Sequence, residues 1–556
     1  MIVSEHEFKQ FDGFGELVAY QTQTRPDSIA LVHLEGDRLR RVTWRAFGAD
    51  IDARAEELRA SGKTCMAILA DGSYACVREL FAANAAGLQI AMLDTAVPEQ
   101  QLAMLLPYVD ADTVWAPTAE RAEALTALLH PQGGGVQDGA GKILFFTSGT
   151  TARSKAVVLT DRSLMGSICP GSAMQPLTPA DTLLCTLPLG HVFGMACGML
   201  WGMVCGATVA LGRGGRHVFT DPMFFRPTAI SVVPILLEHL LRRNLLNPEL
   251  ELILVGAGDC SEERLQEAAD RGIRVAFGYG LTETSSGVAI STGDEPHAME
   301  VCWGTTIELA DDGEILISGP GMMEGYYKLP QDTAEVLVDG VLHTGDLGSF
   351  DENGCLHITG RKKEMLVLPG GTKIFLPEYE REIAETLGTS EMAVVLRKGL
   401  PVLVMGDLAA SASEASAAAA ANAYARANEA GKAVLNRLSG VMEGWPASQR
   451  LVDVVDLGRE LPRTASGKVQ RWIVQSELDK RWDEIRSMRK AGKATAPAAP
   501  AAETPAAEPA AATSPAGVTA AEPAADSAPA AEAPVAAPAQ ETAVSATDSA
   551  APASEE

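Results

Sequence analysis

The chain has 556 residues, 47% of them hydrophobic, and a formal net charge of −27. That length exceeds one ordinary core, so two or three domains are expected. From Ala494 onward there are acidic residues and no basic one, leaving about −18 on the rest of the chain and arguing against nucleic acid as a partner.

At the N-terminus, Met-Ile-Val-Ser-Glu-His-Glu has neither a basic n-region nor an apolar h-region, so no secretory signal is read there. Nine cysteines without a Cys-x-x-Cys pair fit reduced thiols, and a cytoplasmic location is the expectation. Over the first 130 residues short apolar runs alternate with helical patterns. Arg45 to Leu58 predicts a helix and Cys65 to Leu69 a strand, which is α/β grammar. The apolar run Ile143 to Phe146 then leads into Thr147-Ser148-Gly149-Thr150-Thr151-Ala152-Arg153-Ser154-Lys155. Backbone amides, hydroxyls and a lysine in a turn leaving a strand suit a polyanion, although such a segment alone is more often a surface turn, and it does not fit G-x-x-x-x-G-K-[ST].

Thr182 to Gly212 contains no Asp, Glu, Lys or Arg and is long enough to span a bilayer. Pro188, His191 and repeated glycines interrupt it, so a buried strand and helix are expected and no transmembrane segment. Met195 to Val204 offers an adaptable apolar wall for an alkyl chain, or ordinary core packing. Ala207 to Leu211 predicts a strand, Pro234 to Arg243 a helix opened by proline, and Leu252 to Val255 a buried strand. Ser261 is placed to cap a helix over Glu262-Glu263-Arg264. The strand Arg274 to Phe277 runs into Gly278-Tyr279-Gly280-Leu281-Thr282-Glu283, where a base could stack on Tyr279 and a metal bind Glu283; a β-turn with a capping threonine fits equally.

After Ala276, turns at Asp311-Asp312-Gly313 and Asp351-Glu352-Asn353-Gly354 sit between alternating apolar residues and predict hairpins. Thr344-Gly345-Asp346 offers a carboxylate for two ribose hydroxyls, or a plain turn. Gly360-Arg361-Lys362-Lys363-Glu364, followed by Leu368-Pro369-Gly370-Gly371, reads by itself as a solvated charge run, with a domain boundary near Lys363. Ala415 to Ala433 predicts a helix by propensity. Leu461-Pro462-Arg463-Thr464-Ala465-Ser466-Gly467-Lys468 places a lysine in a Gly/Ser turn, and the Ala/Pro/Glu-rich residues 488–556 predict a disordered tail.

In this order, over residues 14–475, these segments resemble the motif series of the adenylate-forming superfamily, in its acyl-CoA synthetase and AMP-dependent ligase branch. The likeness is greatest to medium- and long-chain fatty acyl-CoA ligases. It implies an α/β fold with a large N-terminal domain over 1–361, combining α/β sheets with a β-rich portion, and a small mobile α+β domain over 362–487. It also implies that a carboxylic acid attacks ATP to give acyl-AMP and pyrophosphate, with Mg²⁺, before the acyl group passes to the thiol of CoA or of phosphopantetheine on an acyl carrier protein. By the same resemblance Thr147, Ser148, Gly149, Thr150, Thr151 and Lys155 form the triphosphate loop. Thr282 and Glu283 hold phosphate and metal; Gly256, Ala257, Tyr279 and Gly280 bound the adenine; Asp346 and Arg361 take the ribose. Lys468 is the mobile catalytic lysine, Lys363 the hinge, and Gly370 or Gly371 lines the thiol tunnel.

The family loop usually reads T-S-G-T-T-G-x-P-K-G, and Ala152, Ser154 and Ala156 depart from it. Alanine disfavours positive φ, so the departure bears on loop geometry and ATP affinity. Leu187-Pro188-Leu189-Gly190-His191-Val192-Phe193-Gly194 lacks the aspartate that holds an amino-acid substrate, and His191 with Phe193 resembles the acyl and aryl branch, where it shapes the carboxylate entry. Aryl-CoA ligation, carrier-protein acylation, a non-catalytic nucleotide-binding homologue and peripheral contact with a membrane remain alternatives.

Overall fold

The computed structural model describes residues 8–129, 139–147, 155–258, 260–293, 295–368, 373–406, 431–457, 459–463, 469–471 and 473–480. Most of the helix expected over Ala415–Ala433, and the whole 488–556 tail, lie outside them.

Among the described residues the largest sheet has nine strands. It runs Glu300–Val301, Ser286–Ile290, Arg274–Leu281, Leu252–Val255, Ala229–Val232, Thr182–Cys185, Thr208–Leu211, Ile29–Glu35, Arg38–Thr43. Its centre is parallel, and strands such as Leu252–Val255 are buried on both faces, as their continuous apolar sequence requires. A second, six-stranded sheet runs Gly325–Tyr326, Ala156–Thr160, Lys142–Phe146, Gln89–Asp94, Cys65–Ala70, Thr113–Trp115. It is parallel up to Lys142–Phe146 and antiparallel beyond, so the chain reverses at the hydroxyl-rich turn. The β-rich portion is a five-stranded sheet containing Thr306–Leu309, Glu314–Ser318 and the long strand Val341–Phe350, which pairs with Leu356–Arg361 across the turn at Asp351.

The helices start where side chains can cap them. Thr43 accepts from the Ala46 amide at the head of Trp44–Ser61, which ends on Gly62 with φ 65°, and Thr160 and Ser163 form a reciprocal capping box for Asp161–Met174. The expected strands and helices at Arg45, Cys65, Ala207, Pro234 and Leu252 are present, with ends shifted by at most a few residues. One expectation needs correction and one open alternative is decided. Ser261 stands at the N-cap of Glu262–Ala269 but its side chain makes no capping bond, so the acids of the first turn are what favour that helix end. Gly278-Tyr279-Gly280 is no turn: the strand continues through it to Leu281, because a side chain at 280 would strike the Ser286 carbonyl and glycine alone lets the strands approach.

The charge-free stretch from Thr182 folds as a strand, the helix Val192–Met195, a wider π-helical turn over Ala196–Leu200, the helix Trp201–Cys205 and a second strand. No helix among the described residues is long and apolar enough to cross a membrane. Met195, Met199, Trp201 and Met203 are buried in the principal core, so core packing accounts for them. That core reaches Leu356, and a separate one begins at Leu368 and takes in Tyr379, Ile383, Val394, Leu403 and Leu438. All nine cysteines are free thiols.

Helix Trp44–Ser61 is tied to Tyr74–Ala85 by a two-pronged ion pair. Arg54 donates from Nε and Nη2 to Glu79 at 2.8 and 2.7 Å, and Glu79 is 1% exposed. Arg54→Ala leaves that carboxylate buried without its partner and is expected to cost about 3 kcal/mol, seen as a lower urea midpoint. Adding Glu79→Leu removes the charge and should recover most of the loss; no recovery would show that the stem of Arg54, not its charge, carries the effect.

Candidate nucleotide and acid site

Thr147 and Lys155, the two residues that flank 148–154, are hydrogen-bonded to one another. Thr147 donates its amide to the Lys155 carbonyl at 3.0 Å, and the Lys155 amide donates to Thr147 Oγ1 at 3.3 Å. Ser148, Gly149, Thr150 and Thr151 lie outside the described residues, as do Ala152 and Ser154. Ala156 is a buried strand residue paired with Phe146 and has no positive φ, so alanine costs nothing there and that departure from the family pattern carries no strain.

Past Leu281 the chain turns through a short 3-10 segment, Thr282–Thr284, and leaves through Ser285 and Ser286 with φ of 55° and 101°. Thr284 Oγ1 accepts from the Leu281 amide at 2.9 Å, fixing the turn that presents Glu283. The Glu283 carboxylate accepts from Tyr326 Oη at 2.8 Å, while Lys155 Nζ stands 4.5 Å from the centre of the Tyr326 ring and 2.7 Å from Asp332. Glu283 and Lys155, 128 positions apart, are thus joined through a tyrosine that motif reading missed. Burial and then the Glu283 carboxylate push the Tyr326 phenol up, so it remains a donor.

The second group forms around Asp346, which is 2% exposed. Gly345, with φ 71°, turns the chain just before it, and antiparallel register sets Asp346 opposite Arg361. Arg361 Nε lies 2.7 Å from one carboxylate oxygen and Tyr279 Oη donates to the other at 2.8 Å. Burial first, and then Asp346, hold the Tyr279 phenol well above its ordinary range. Behind the turn, Glu314 accepts from the Gly345 amide at 2.8 Å and from Lys362 Nζ at 2.6 Å. Burial raises the Glu314 carboxyl, but Lys362 and the Gly345 amide together bring it below its usual value. Lys362 therefore fastens the chain to this sheet one residue before Lys363, whose backbone lies in the short turn Lys362–Glu364.

Gly256 ends the strand Leu252–Val255, and a Cβ there would stand 2.9 Å from the Phe193 ring, so Phe193 lies against its backbone. Ala257 adopts φ 62°, a left-handed conformation that costs a non-glycine residue about 1 kcal/mol. His191 caps the helix Val192–Met195 by position, and its Nε2 lies 3.2 Å from Asp94 at the end of Gln89–Asp94. The hydrogen bond from His191 leads the contributions that hold the Asp94 carboxyl below its ordinary value. Asp94 is the side-chain partner found for His191 among the described residues. Gly190 permits this, since a Cβ there would come within 2.9 Å of the Asp94 amide. Gly370, Gly371 and Lys468 lie outside the described residues. Arg463 and Val469, which flank residues 464–468, form an antiparallel bridge.

No cluster of three or more metal-ligating side chains occurs among the described residues. Glu283 offers one carboxylate beside Lys155's tyrosine, which fits a magnesium ion that arrives with nucleotide phosphates and keeps waters, since Mg²⁺ is commonly held by one or two carboxylates plus substrate oxygens.

The family match and the relatives that follow put the chain in the adenylate-forming class. Residues 136–327 match the AMP-binding enzyme family. The chain is 32% identical to a 3-[(3aS,4S,7aS)-7a-methyl-1,5-dioxo-octahydro-1H-inden-4-yl]propanoyl:CoA ligase of Mycobacterium tuberculosis, over 59% of this chain and 64% of that protein, so the alignment spans under two thirds of that relative. It is 30% identical to 2-succinylbenzoate–CoA ligase of Listeria monocytogenes, over 59% of this chain and 68% of the relative. O-succinylbenzoate coenzyme A synthetase of Bacillus subtilis, solved with ATP and a magnesium ion, superposes with a TM-score of 0.64 at 22% identity, covering 82% of this chain and 98% of that one. The fold is shared at that identity. The chain belongs to the AMP-binding enzyme family, in its acyl-CoA synthetase branch of AMP-dependent ligases.

Proposed function

We propose that this protein activates a carboxylic acid with ATP, releasing pyrophosphate, and passes the acyl group to the thiol of CoA. The observation that carries this reading is Asp346, a buried carboxylate gripped by Arg361 and Tyr279, at the position the resemblance gives to the ribose. Lys155 and Glu283 would then face the phosphates, and the metal would neutralise charge as two anions approach. Thr147 would contribute at the neck of the loop, with Ser148, Gly149, Thr150 and Thr151 along it. Gly256, Ala257 and Gly280 would bound the base, and His191, oriented by Asp94, would stand at the acid entrance. Lys363 is assigned as the hinge between an N-terminal domain over 1–361 and a C-terminal one over 362–487, an assignment supported by the two cores that flank it.

A fatty acid is the first substrate class, following the resemblance of residues 360–371. A ring-bearing or aryl acid is the second, favoured by relatives named for succinylbenzoate and, at 30% identity over 59% of this chain, for indoleacetate. ATP–pyrophosphate exchange with acids from acetate to palmitate, benzoates and indoleacetate separates them, and adding CoA or an acyl carrier protein identifies the acceptor. No exchange with any acid would overturn the ligase reading in favour of a nucleotide-binding homologue.

A further inference from the structure

The contacts of Tyr326 follow from strand register. Gly325–Tyr326 pairs antiparallel with Ala156–Thr160, and Tyr326 stands opposite Val157. Lys155 lies two residues before Val157, so the alternation of a strand puts it diagonally across from Tyr326 on the same face. On the other side, the Met323 amide donates to the Glu283 carbonyl at 2.9 Å, drawing residues 323–326 against the turn that presents Glu283. The chain then folds back. Tyr326 donates its amide to Thr333 Oγ1 at 2.8 Å, and Gly325, with φ 145°, packs so closely on Thr333 that a side chain there would collide with it. That closure places Asp332 beside Lys155.

We propose that Tyr326 and Asp332 set the resting state of the phosphate site: Tyr326 orients Glu283 and Lys155 relative to one another, and Asp332 is the counterion that incoming phosphate displaces from Lys155. The proposal rests on reading Lys155 and Glu283 as ligands of phosphate and metal. Its chemistry is competitive. Lys155 Nζ cannot keep a carboxylate at 2.7 Å and also offer its full charge to a polyphosphate, so the Asp332 contact opposes nucleotide binding while it keeps the lysine ordered. The Tyr326 hydroxyl acts differently. By fixing one carboxylate oxygen of Glu283 it aims the other, which is the work of a residue behind a metal ligand. Tyr326 is a positioning residue in this scheme, touching neither nucleotide nor acid.

The two roles predict opposite signs. Equilibrium titration of the full chain with MgATP should show Asp332→Asn binding about two- to fivefold more tightly than the parent, the scale of an exposed pair. The same substitution in a Lys155→Ala background should have no effect, because the lysine it restrains is gone. Tyr326→Phe keeps the ring under Lys155 and loses the hydroxyl, so the free Mg²⁺ needed for half-maximal ATP binding should rise about tenfold. Thermal unfolding of each variant separates these shifts from loss of fold. Weaker or unchanged binding in a folded Asp332→Asn, an equal shift without Lys155, or an unaltered Mg²⁺ requirement in a folded Tyr326→Phe overturns the proposal. Parent protein that binds no MgATP overturns both this inference and the nucleotide-site reading. Intact binding shifts with no pyrophosphate exchange on any acid overturn the ligase reading and leave this one standing.

Discussion

Replacing Asp346 with asparagine is expected to lower kcat/KM for ATP in pyrophosphate exchange about 100-fold and to leave KM for the acid unchanged. Two ribose hydroxyls donating to an ionised carboxylate make charge-assisted bonds of about 1.5–3 kcal/mol each. Asparagine keeps the shape and one acceptor, so roughly half of that is lost and the fold is kept. The resting partners favour this outcome. Tyr279 can still donate to the amide oxygen, whereas Arg361 loses its ionic partner and half its purpose at this position. A ligand-side measurement makes the test independent of folding: the parent should discriminate strongly against 3′-deoxy-ATP, and Asp346→Asn should lose most of that discrimination. Equal losses for ATP and its deoxy analogue would remove Asp346 from the ribose site.

Much of the architecture could be read from the chain because burial on two faces leaves uninterrupted apolar runs, as at Cys65–Ala70 and Leu252–Val255, which both form strands. Local chemistry is a poor guide where the close approach of another strand overrides it. Two glycines around Tyr279 signal a turn by propensity, yet Gly280 is needed for the close approach of a neighbouring strand, and the result is extended backbone. Candidate residues such as Glu283, Asp346 and Arg361 could be named from the sequence because a series of short motifs picks them out one by one. Their partners were not. Tyr326 and Asp332 acquire meaning only when antiparallel pairing with Ala156–Thr160 brings them to Lys155, and Asp94 only when Gly190 lets His191 reach it. The run Gly325-Tyr326-Tyr327, aromatic residues after a glycine, was the available hint of a strand there, but nothing local to it points to residue 155.

Lys468→Ala is expected to lower adenylation about 1000-fold, read by pyrophosphate exchange, and to leave thioester formation from preformed acyl-adenylate unchanged. The expected effect is one of charge. An acid carboxylate must approach the α-phosphate, and a cation has to span both. Of the cations already placed, Arg361 is committed to Asp346, and Lys155 lies with Asp332 and Tyr326 on the side assigned to the departing phosphates. The resemblance gives the bridging charge to Lys468, which follows Arg463 in sequence and precedes Val469, two residues joined by an antiparallel bridge. Glu391 accepts from the Leu461 amide at 2.6 Å and lies 2.5 Å from Arg463, so the residues that precede 464–468 are firmly held. In the second half-reaction the thiol displaces AMP from an acyl carbon that is already activated, no two anions are brought together, and the resemblance implies that the lysine has by then swung away. A purely structural lysine would slow both halves together. Equal loss in the two half-reactions would sink the assignment, and Lys468→Arg, which keeps the charge but not the shape of the ammonium, should restore only part of the exchange rate.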